Sequence, residues 1–389
     1  MVFAQKMQQL ESAVFTQQEA LKRDLLSKGI EIFNFSVGTP DLPPPDHVMK
    51  VLSEESAKAC NYKYAIKDSE ELVDAVIGWY RKRFNVSLER DEILGLNGSQ
   101  DALAHTALGL INPGEVVLIQ DPHYPIFFVG PHLSGADIVT MPMLEENNYL
   151  IDFNQISNTV AHDAKMMVIS YPNNPVTALA PYEFYEELVW FAKKYEIKVI
   201  HDNAYCELVY DGKKAGSFLN VPGAKDIGIE LNSLSKSYNM PGCRISFALG
   251  NREIIKKLAT IKSHIDYGIF IPIQKAAIAA ITGPDDCIMN TVRTYEKRRD
   301  TLVNGFTEIG WPMLKPEATM FVWSKIPDGF LNSEQFVHEM IKQTGVFTVP
   351  GSAFGKMGEG YVRFALVDTE EKIKRAIQKV GAWLESRNA

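Results

Sequence analysis

The residues able to do chemistry in this chain sit in short polar clusters, and the most informative is Ser233-Leu234-Ser235-Lys236. Two hydroxyls at period two can share a face of a strand. A lysine closes the cluster, and Arg244 follows eight residues later, across Pro241-Gly242. A deprotonated lysine captures carbonyls, and an arginine among hydroxyls suits a phosphate. Standing alone, the same four residues also fit a solvated surface turn, and Arg244 fits a surface ion pair. A second cluster, Asp202-Asn203-Ala204-Tyr205, follows the apolar run 197–201. A carboxylate drawn inward there needs a cation or a hydrogen-bond donor. A pyridinium N–H would supply one; a helix N-cap or a structural ion pair is the plainer alternative. A third, Gly98-Ser99-Gln100, follows the strand-like residues 93–96 and opens a helix. Free backbone N–H groups and the positive end of a helix dipole make such a joint an anion site, although many ordinary strand–turn–helix joints look the same.

Each cluster trails an apolar run, which says what must position it. The runs are 115–120, 137–141, 165–171, 197–201, 227–231 and 245–249. Several are almost continuously apolar, as strands buried on both faces are. Helical patterns at 101–110, 182–195 and 252–263 lie between them. Strand and helix in alternation predict an α/β fold around a mostly parallel sheet. Ligands of such sheets bind outside the carboxyl ends of the strands. That is where Asp121-Pro122-His123-Tyr124-Pro125 and Pro172-Asn173-Asn174-Pro175 also fall.

The proline-rich stretch 38–45 predicts an extended connector, with Asp46 as N-cap of a helix over 47–59. From about residue 285 the pattern changes to a long charged helix (287–305), short strands (320–324, 361–366) and a last helix (369–386). The expected organisation is an N-terminal segment, 1–45, joining a small domain; a large domain, 46–284; and a small α+β domain, 285–389.

A net charge of −8 disfavours nucleic acid and anionic membrane surfaces as partners. The four cysteines are far apart and form no CxxC pair, and no HExxH occurs, so no metal site is expected. GxxxxGK[ST] and a convincing GxGxxG are both missing, which weakens nucleotide-binding readings. Residues 1–26 are polar and carry no signal-peptide core. No apolar stretch reaches the roughly 18 residues of a membrane helix, and the chain reads as cytoplasmic.

Taken in order, the clusters resemble the class I/II aminotransferases, which are fold-type I pyridoxal-phosphate enzymes. Tyr171-Pro172-Asn173-Asn174-Pro175 resembles the family's N-P segment and Asp202-Asn203-Ala204-Tyr205 its D-x-x-Y. Ser233-Leu234-Ser235-Lys236 with Arg244 resembles its S-x-S-K and following arginine, and Tyr361-Val362-Arg363-Phe364 its late arginine strand. The resemblance implies a large domain with a mostly parallel sheet, a small α+β domain, pyridoxal 5'-phosphate and a homodimer. It implies that Lys236 bonds covalently to the cofactor and then carries the proton, while Asp202 pairs with the pyridine nitrogen. Tyr205 and Asn174 would bond the ring's 3'-oxygen, and Tyr124 would stack on the ring. Gly98, Ser99, Gln100, Ser233, Ser235 and Arg244 would surround the phosphate. Arg363 would fork onto the substrate α-carboxylate, assisted by Gly38 and Asn174. Tyr64 matches a tyrosine that reaches the neighbouring subunit's phosphate. A lysine amine ordinarily holds its proton up to a pKa of ~10.4, and Arg244 nearby disfavours the ammonium form.

Two segments depart from the family pattern. Val176-Thr177 stands where T-G is usual, and Ala65-Ile66-Lys67-Asp68-Ser69 lacks the usual glycine after Tyr64. Asn239-Met240-Pro241-Gly242-Cys243-Arg244 and Asp266-Tyr267-Gly268-Ile269-Phe270 resemble the branch of LL-diaminopimelate, alanine and aspartate aminotransferases. That branch often has Tyr-Leu-Phe near the N-terminus, where this chain has Ala13-Val14-Phe15. The implied activity moves an amino group from an L-amino acid to 2-oxoglutarate or pyruvate. A C–S β-lyase on the same fold shares the motifs. A non-enzymatic regulator needs an appended DNA-binding segment, which the roughly 38 residues before the first motif and the acidic balance disfavour.

Overall fold

The computed structural model describes residues 4–8, 10 and 13–388. The side chains of Ala13, Val14 and Phe15 lie outside the described residues. Among the described residues, twelve strands follow in chain order: β1 (Phe33–Asn34), β2 (Ile93–Leu96), β3 (Val116–Asp121), β4 (Asp137–Pro142), β5 (Ala164–Ser170), β6 (Lys198–Asp202), β7 (Gly228–Ser233), β8 (Ser246–Gly250), β9 (Phe321–Lys325), β10 (Val346–Phe347), β11 (Val349–Pro350) and β12 (Tyr361–Ala365).

The apolar runs form one seven-stranded sheet, ordered β2-β8-β7-β6-β5-β3-β4. Its β3, β4, β5, β6 and β7 are mutually parallel, and only β8 runs against its neighbours. The sheet is therefore α/β and mostly parallel, as the alternation predicts. Strands β5, β6 and β7 are buried along almost their whole length, because helices cover both faces. The helix Tyr182–Tyr195 shows how: Phe184, Tyr185, Leu188, Val189, Phe191, Ala192 and Tyr195 form its buried stripe at three-to-four-residue spacing. Parallel pairing puts Ser170 beside Asp202 and Asp202 beside Leu231. The carboxyl ends of β5, β6 and β7 thus open onto one place.

A second core lies around a three-stranded antiparallel sheet, β11-β12-β9. Phe306, Trp311, Phe336 and Phe364 are buried in it, and so is Phe33 from the amino-terminal part of the chain. Phe33 pairs with Val346 across β1 and β10, and Phe35 O accepts from Ala365 N at 2.8 Å.

Two local expectations are corrected. Asp46 is the first helical residue and not the N-cap: Pro45 at φ −58°, ψ 141° holds the extended cap position, and the helix is Asp46–Ser56. Asp46 instead places its charge in the first turn, where the helix dipole favours it. Residues 59–61 form a separate 3-10 turn, Ala59–Asn61. Ser233 and Ser235 do not alternate along a strand. Strand β7 ends at Ser233, and Leu234–Ser237 is a helical turn whose Ser235 N–H donates to Ser233 Oγ at 3.2 Å. The cap wins over the alternation because a serine hydroxyl satisfies a backbone donor that the strand end leaves open. Among the described residues, no helix is long and apolar enough to cross a membrane. None of their His, Cys, Asp and Glu side chains gather in a group of three or more that could hold a metal.

Candidate active site

A cavity of about 600 Å³ lies at the carboxyl ends of the sheet strands. Gly38, Ser99, Gln100, Tyr124, Asn174, Asp202, Tyr205, Ser233, Ser235, Lys236, Arg244 and Arg363 all line it. Residues spread over most of the chain are thus brought together. Gly98 stands directly behind the lining, at φ +86°. A Cβ built on Gly98 would run into the Arg244 guanidinium, so glycine is needed there for both its backbone angle and its missing side chain. Tyr64 is not brought to the cavity. It is 81% exposed, its ring lies 5.3 Å from that of Tyr267, and it borders a different hollow of about 380 Å³.

Lys236 sits on the helical turn after β7, and its Nζ donates to Gly38 O at 2.6 Å. The Tyr205 ring lies beneath it, 5.9 Å from Nζ to centroid. Burial, together with the charges of Arg363 and Arg244, lowers the lysine to about pKa 8, against a smaller opposing pull from Asp202. A useful share of neutral amine is therefore present near pH 7–8, which an exposed lysine lacks.

Asp202 ends β6. Burial raises it to about pKa 6, opposed by His201, by its hydrogen bond from the Ala204 backbone and by Lys236. Its Oδ1 is buried and has no hydrogen-bond partner among the described residues. An ionised carboxylate with an open valence is costly to bury, so the sheet end is built for a donor that the protein itself does not supply.

Arg363 comes from β12. Its Nη1 donates to Asn174 Oδ1 at 2.8 Å and its Nη2 to Ser36 O at 2.8 Å. The rings of Phe321 and Phe354 lie 4.2 and 4.7 Å from the guanidinium carbon and fix its plane. Burial lowers this arginine to about pKa 10, so it stays charged at neutral pH. Its Nε, like Ser99 Oγ, is buried without a partner among the described residues. Ser99 opens the helix Ser99–Leu110, so the anion-binding end of that helix faces the cavity. Arg244 flanks it, with Nη1 on Pro241 O at 3.2 Å and Nη2 on Asn97 O at 3.4 Å. Burial raises the phenols of Tyr124 and Tyr205 above their ordinary range, which keeps both as O–H donors.

Ser36, Phe321 and Phe354 also belong to the site, and sequence reasoning missed them. Ser36 contributes only a carbonyl, which any residue carries. The two phenylalanines sit in ordinary apolar context, so nothing in their neighbourhood distinguishes them from core.

A soft lysine amine, an anion cradle, a carboxylate with an open valence and a clamped arginine define a class of site. It suits a phosphorylated cofactor that bears a carbonyl and a basic ring nitrogen, next to a carboxylate substrate. Comparison with known proteins identifies the family. The family model "Aminotransferase class I and II" matches residues 30–380, and the chain belongs to that family. The chain is 40% identical over 379 residues to the LL-diaminopimelate aminotransferase of Halothermothrix orenii, covering 97% of each chain. It is 40% identical over 381 residues to the enzyme of the same name from Moorella thermoacetica, again covering 97% of each. Substrate-bound BacF from Bacillus subtilis superposes with a TM-score of 0.94 at 32% identity, covering 98% of both chains. The protein is a pyridoxal-phosphate-dependent transaminase of the fold-type I architecture. The aminotransferase names of its relatives favour amino transfer over the β-lyase alternative.

Proposed function

We propose that this cavity moves the amino group of an L-amino acid to 2-oxoglutarate or pyruvate in two half-reactions. The observation carrying the reading is that Asp202, a buried carboxylate whose Oδ1 has no partner among the described residues, lines the same cavity as the softened Lys236 amine. Bound pyridoxal phosphate supplies an exchangeable aldehyde and a ring that accepts electrons from the reacting carbon. Asp202 holds a proton on the ring nitrogen. Tyr205 O–H and Asn174 Nδ2 donate to the 3'-oxygen; Asn174 Oδ1 is already engaged by Arg363. The Tyr124 ring covers the cofactor ring. Gly98, Ser99, Gln100, Ser233, Ser235 and Arg244 hold the phosphate. Arg363, held flat, grips the α-carboxylate in bidentate fashion, with the Gly38 backbone beside it. Lys236, tethered by its own chain beside the substrate Cα, would move the proton there.

The same reading divides the chain at about residues 45 and 284, with the cavity between the large and small parts. It makes the protein a cytoplasmic homodimer. Support for the dimer comes from Tyr62, Tyr64, Ile66 and Tyr267, a cluster of exposed side chains whose two ring pairs, Tyr62–Phe270 and Tyr64–Tyr267, are 5.2 and 5.3 Å apart. Tyr64 would meet the partner's phosphate there. LL-diaminopimelate is the first donor to test, because the 40%-identical relatives carry that name.

The test is a panel of single half-reactions with L-amino acids, LL-diaminopimelate among them, each mixed with the loaded enzyme. The expected result is stoichiometric conversion of the cofactor to its amine form with release of the matching oxo acid. Release of ammonia with the cofactor unchanged, or no conversion by any donor, would overturn the reading.

A further inference from the structure

Behind the turn that opens the helix Ser99–Leu110 lies a buried charged cluster that the reaction does not use. Lys262 is 4% exposed. It is ion-paired to Asp101 and, at 2.9 Å, to Asp266. Asp101, itself buried, contacts His105 Nδ1 through Oδ1 at 2.8 Å. Its Oδ2 accepts the Asn97 backbone N–H at 2.9 Å. Asp266 Oδ2 accepts from Asn97 Nδ2 at 2.7 Å. The Asn97 carbonyl in turn receives Arg244 Nη2 at 3.4 Å. One residue of the turn is thus held by both carboxylates and passes the constraint on to an arginine of the cavity.

The arrangement carries an electrostatic problem. Asp101 lies in the first turn of the helix, whose N-terminus faces the cavity and attracts anions. A carboxylate in that turn stabilises the helix but repels a second anion at its end. Buried charges are weakly screened, so the repulsion acts across several ångströms. Lys262 is the lysine that reaches this carboxylate.

We propose that Lys262 is a positioning residue for the cofactor phosphate. It offsets the charge of Asp101 behind the anion site and lets Asp101 and Asp266 fix the Asn97 peptide against Arg244. This rests on the assignment of Gly98–Gln100 and Arg244 as the phosphate cradle.

The test compares binding of pyridoxal 5'-phosphate with binding of pyridoxal, which lacks the phosphate, by equilibrium titration of the full-length protein freed of cofactor. Lys262→Met removes the lysine paired to Asp101 and leaves only His105 on that carboxylate, so the phosphate-specific part of the affinity should fall at least about tenfold, with pyridoxal affinity changed far less. Lys262→Met with Asp101→Asn should recover most of that loss. Asp101→Asn alone keeps an acceptor for the Asn97 N–H, and its ratio should equal or exceed that of the wild type. An equal loss for both ligands in Lys262→Met would overturn the proposal, as would any fall of the ratio below the wild-type value in Asp101→Asn. If Lys262→Met does not fold, the single Asp101→Asn variant still decides by the sign of its change. Arg244→Gln separates the two readings. A ratio unchanged in Arg244→Gln refutes the cradle itself; a fall there without a fall in Lys262→Met refutes only the role of Lys262.

Discussion

Asp202 and Glu230 are buried carboxylates on adjacent strands of one sheet, and their surroundings are opposite. Glu230, on β7, is fully buried and fully engaged. It accepts from Tyr80 O–H, Ser217 O–H and the Phe218 N–H, each at 2.9 Å. It also faces His201 Nδ1 at 3.2 Å. His201 precedes Asp202 in β6 and is the register partner of Glu230. One residue further, at the strand end, Asp202 leaves Oδ1 with no partner among the described residues. A buried charge supplied with donors ties a structure together; one left short of a donor waits for a ligand. The contrast separates two roles that residue type and burial leave identical.

Four experiments bear on this contrast, and the largest effect is expected at Lys236. If Lys236 holds the cofactor and moves the proton as proposed, Lys236→Ala should lower turnover by roughly 10⁴-fold or more. Steady-state kinetics checks this, alongside loss of the absorbance of the lysine-linked cofactor. Second, Asp202→Asn and Glu230→Gln should fail in opposite ways. Asp202→Asn should lose roughly 10²–10³-fold in kcat while its thermal midpoint barely moves. Glu230→Gln should lose about 3 kcal/mol of stability in denaturant unfolding, because its donors are left facing an amide, with kcat changed by less than about threefold. Equal stability losses in the two would erase the distinction. Third, Arg363→Lys swaps a planar fork for a point charge between Phe321 and Phe354. KM for the amino donor should rise by roughly 10²-fold with a smaller change in kcat.

The smallest effect is a pH dependence. Capture of pyridoxal phosphate by the cofactor-free protein needs the neutral Lys236 amine, and that lysine is lowered to about pKa 8. The second-order capture rate should therefore rise about tenfold per pH unit below 8 and flatten above it. An unperturbed lysine would keep the rate rising toward pH ~10.4, and stopped-flow absorbance distinguishes the two curves.

Much of this site is legible in the sequence because its members sit at strand ends, and strand ends are readable from apolar runs. Asp202, Ser233, Lys236 and the turn 98–100 each follow such a run. Their order along the chain then carried the family resemblance. What stayed hidden depends on long-range assembly of the second core. Ser36 and Phe321 meet Arg363 across 327 and 42 residues of chain, and local pattern holds no trace of that. Position along the strand separates Asp202, which follows the run 197–201, from Glu230 inside the run 227–231, but the full set of donors on Glu230 is visible only in the fold. Asp46 lies one residue inside the expected cap because an aspartate suits both the cap and the first turn, and only the extended Pro45 backbone decides between them.

The proposed role of Asp202 is to hold a proton on the cofactor's ring nitrogen. The most direct measurement is the ¹⁵N chemical shift of pyridoxal phosphate labelled at that nitrogen and bound to the protein at neutral pH. A protonated nitrogen is expected in the wild type and in Glu230→Gln, and an unprotonated one in Asp202→Asn. An unprotonated nitrogen in the wild type, or a protonated one that survives Asp202→Asn, would contradict it.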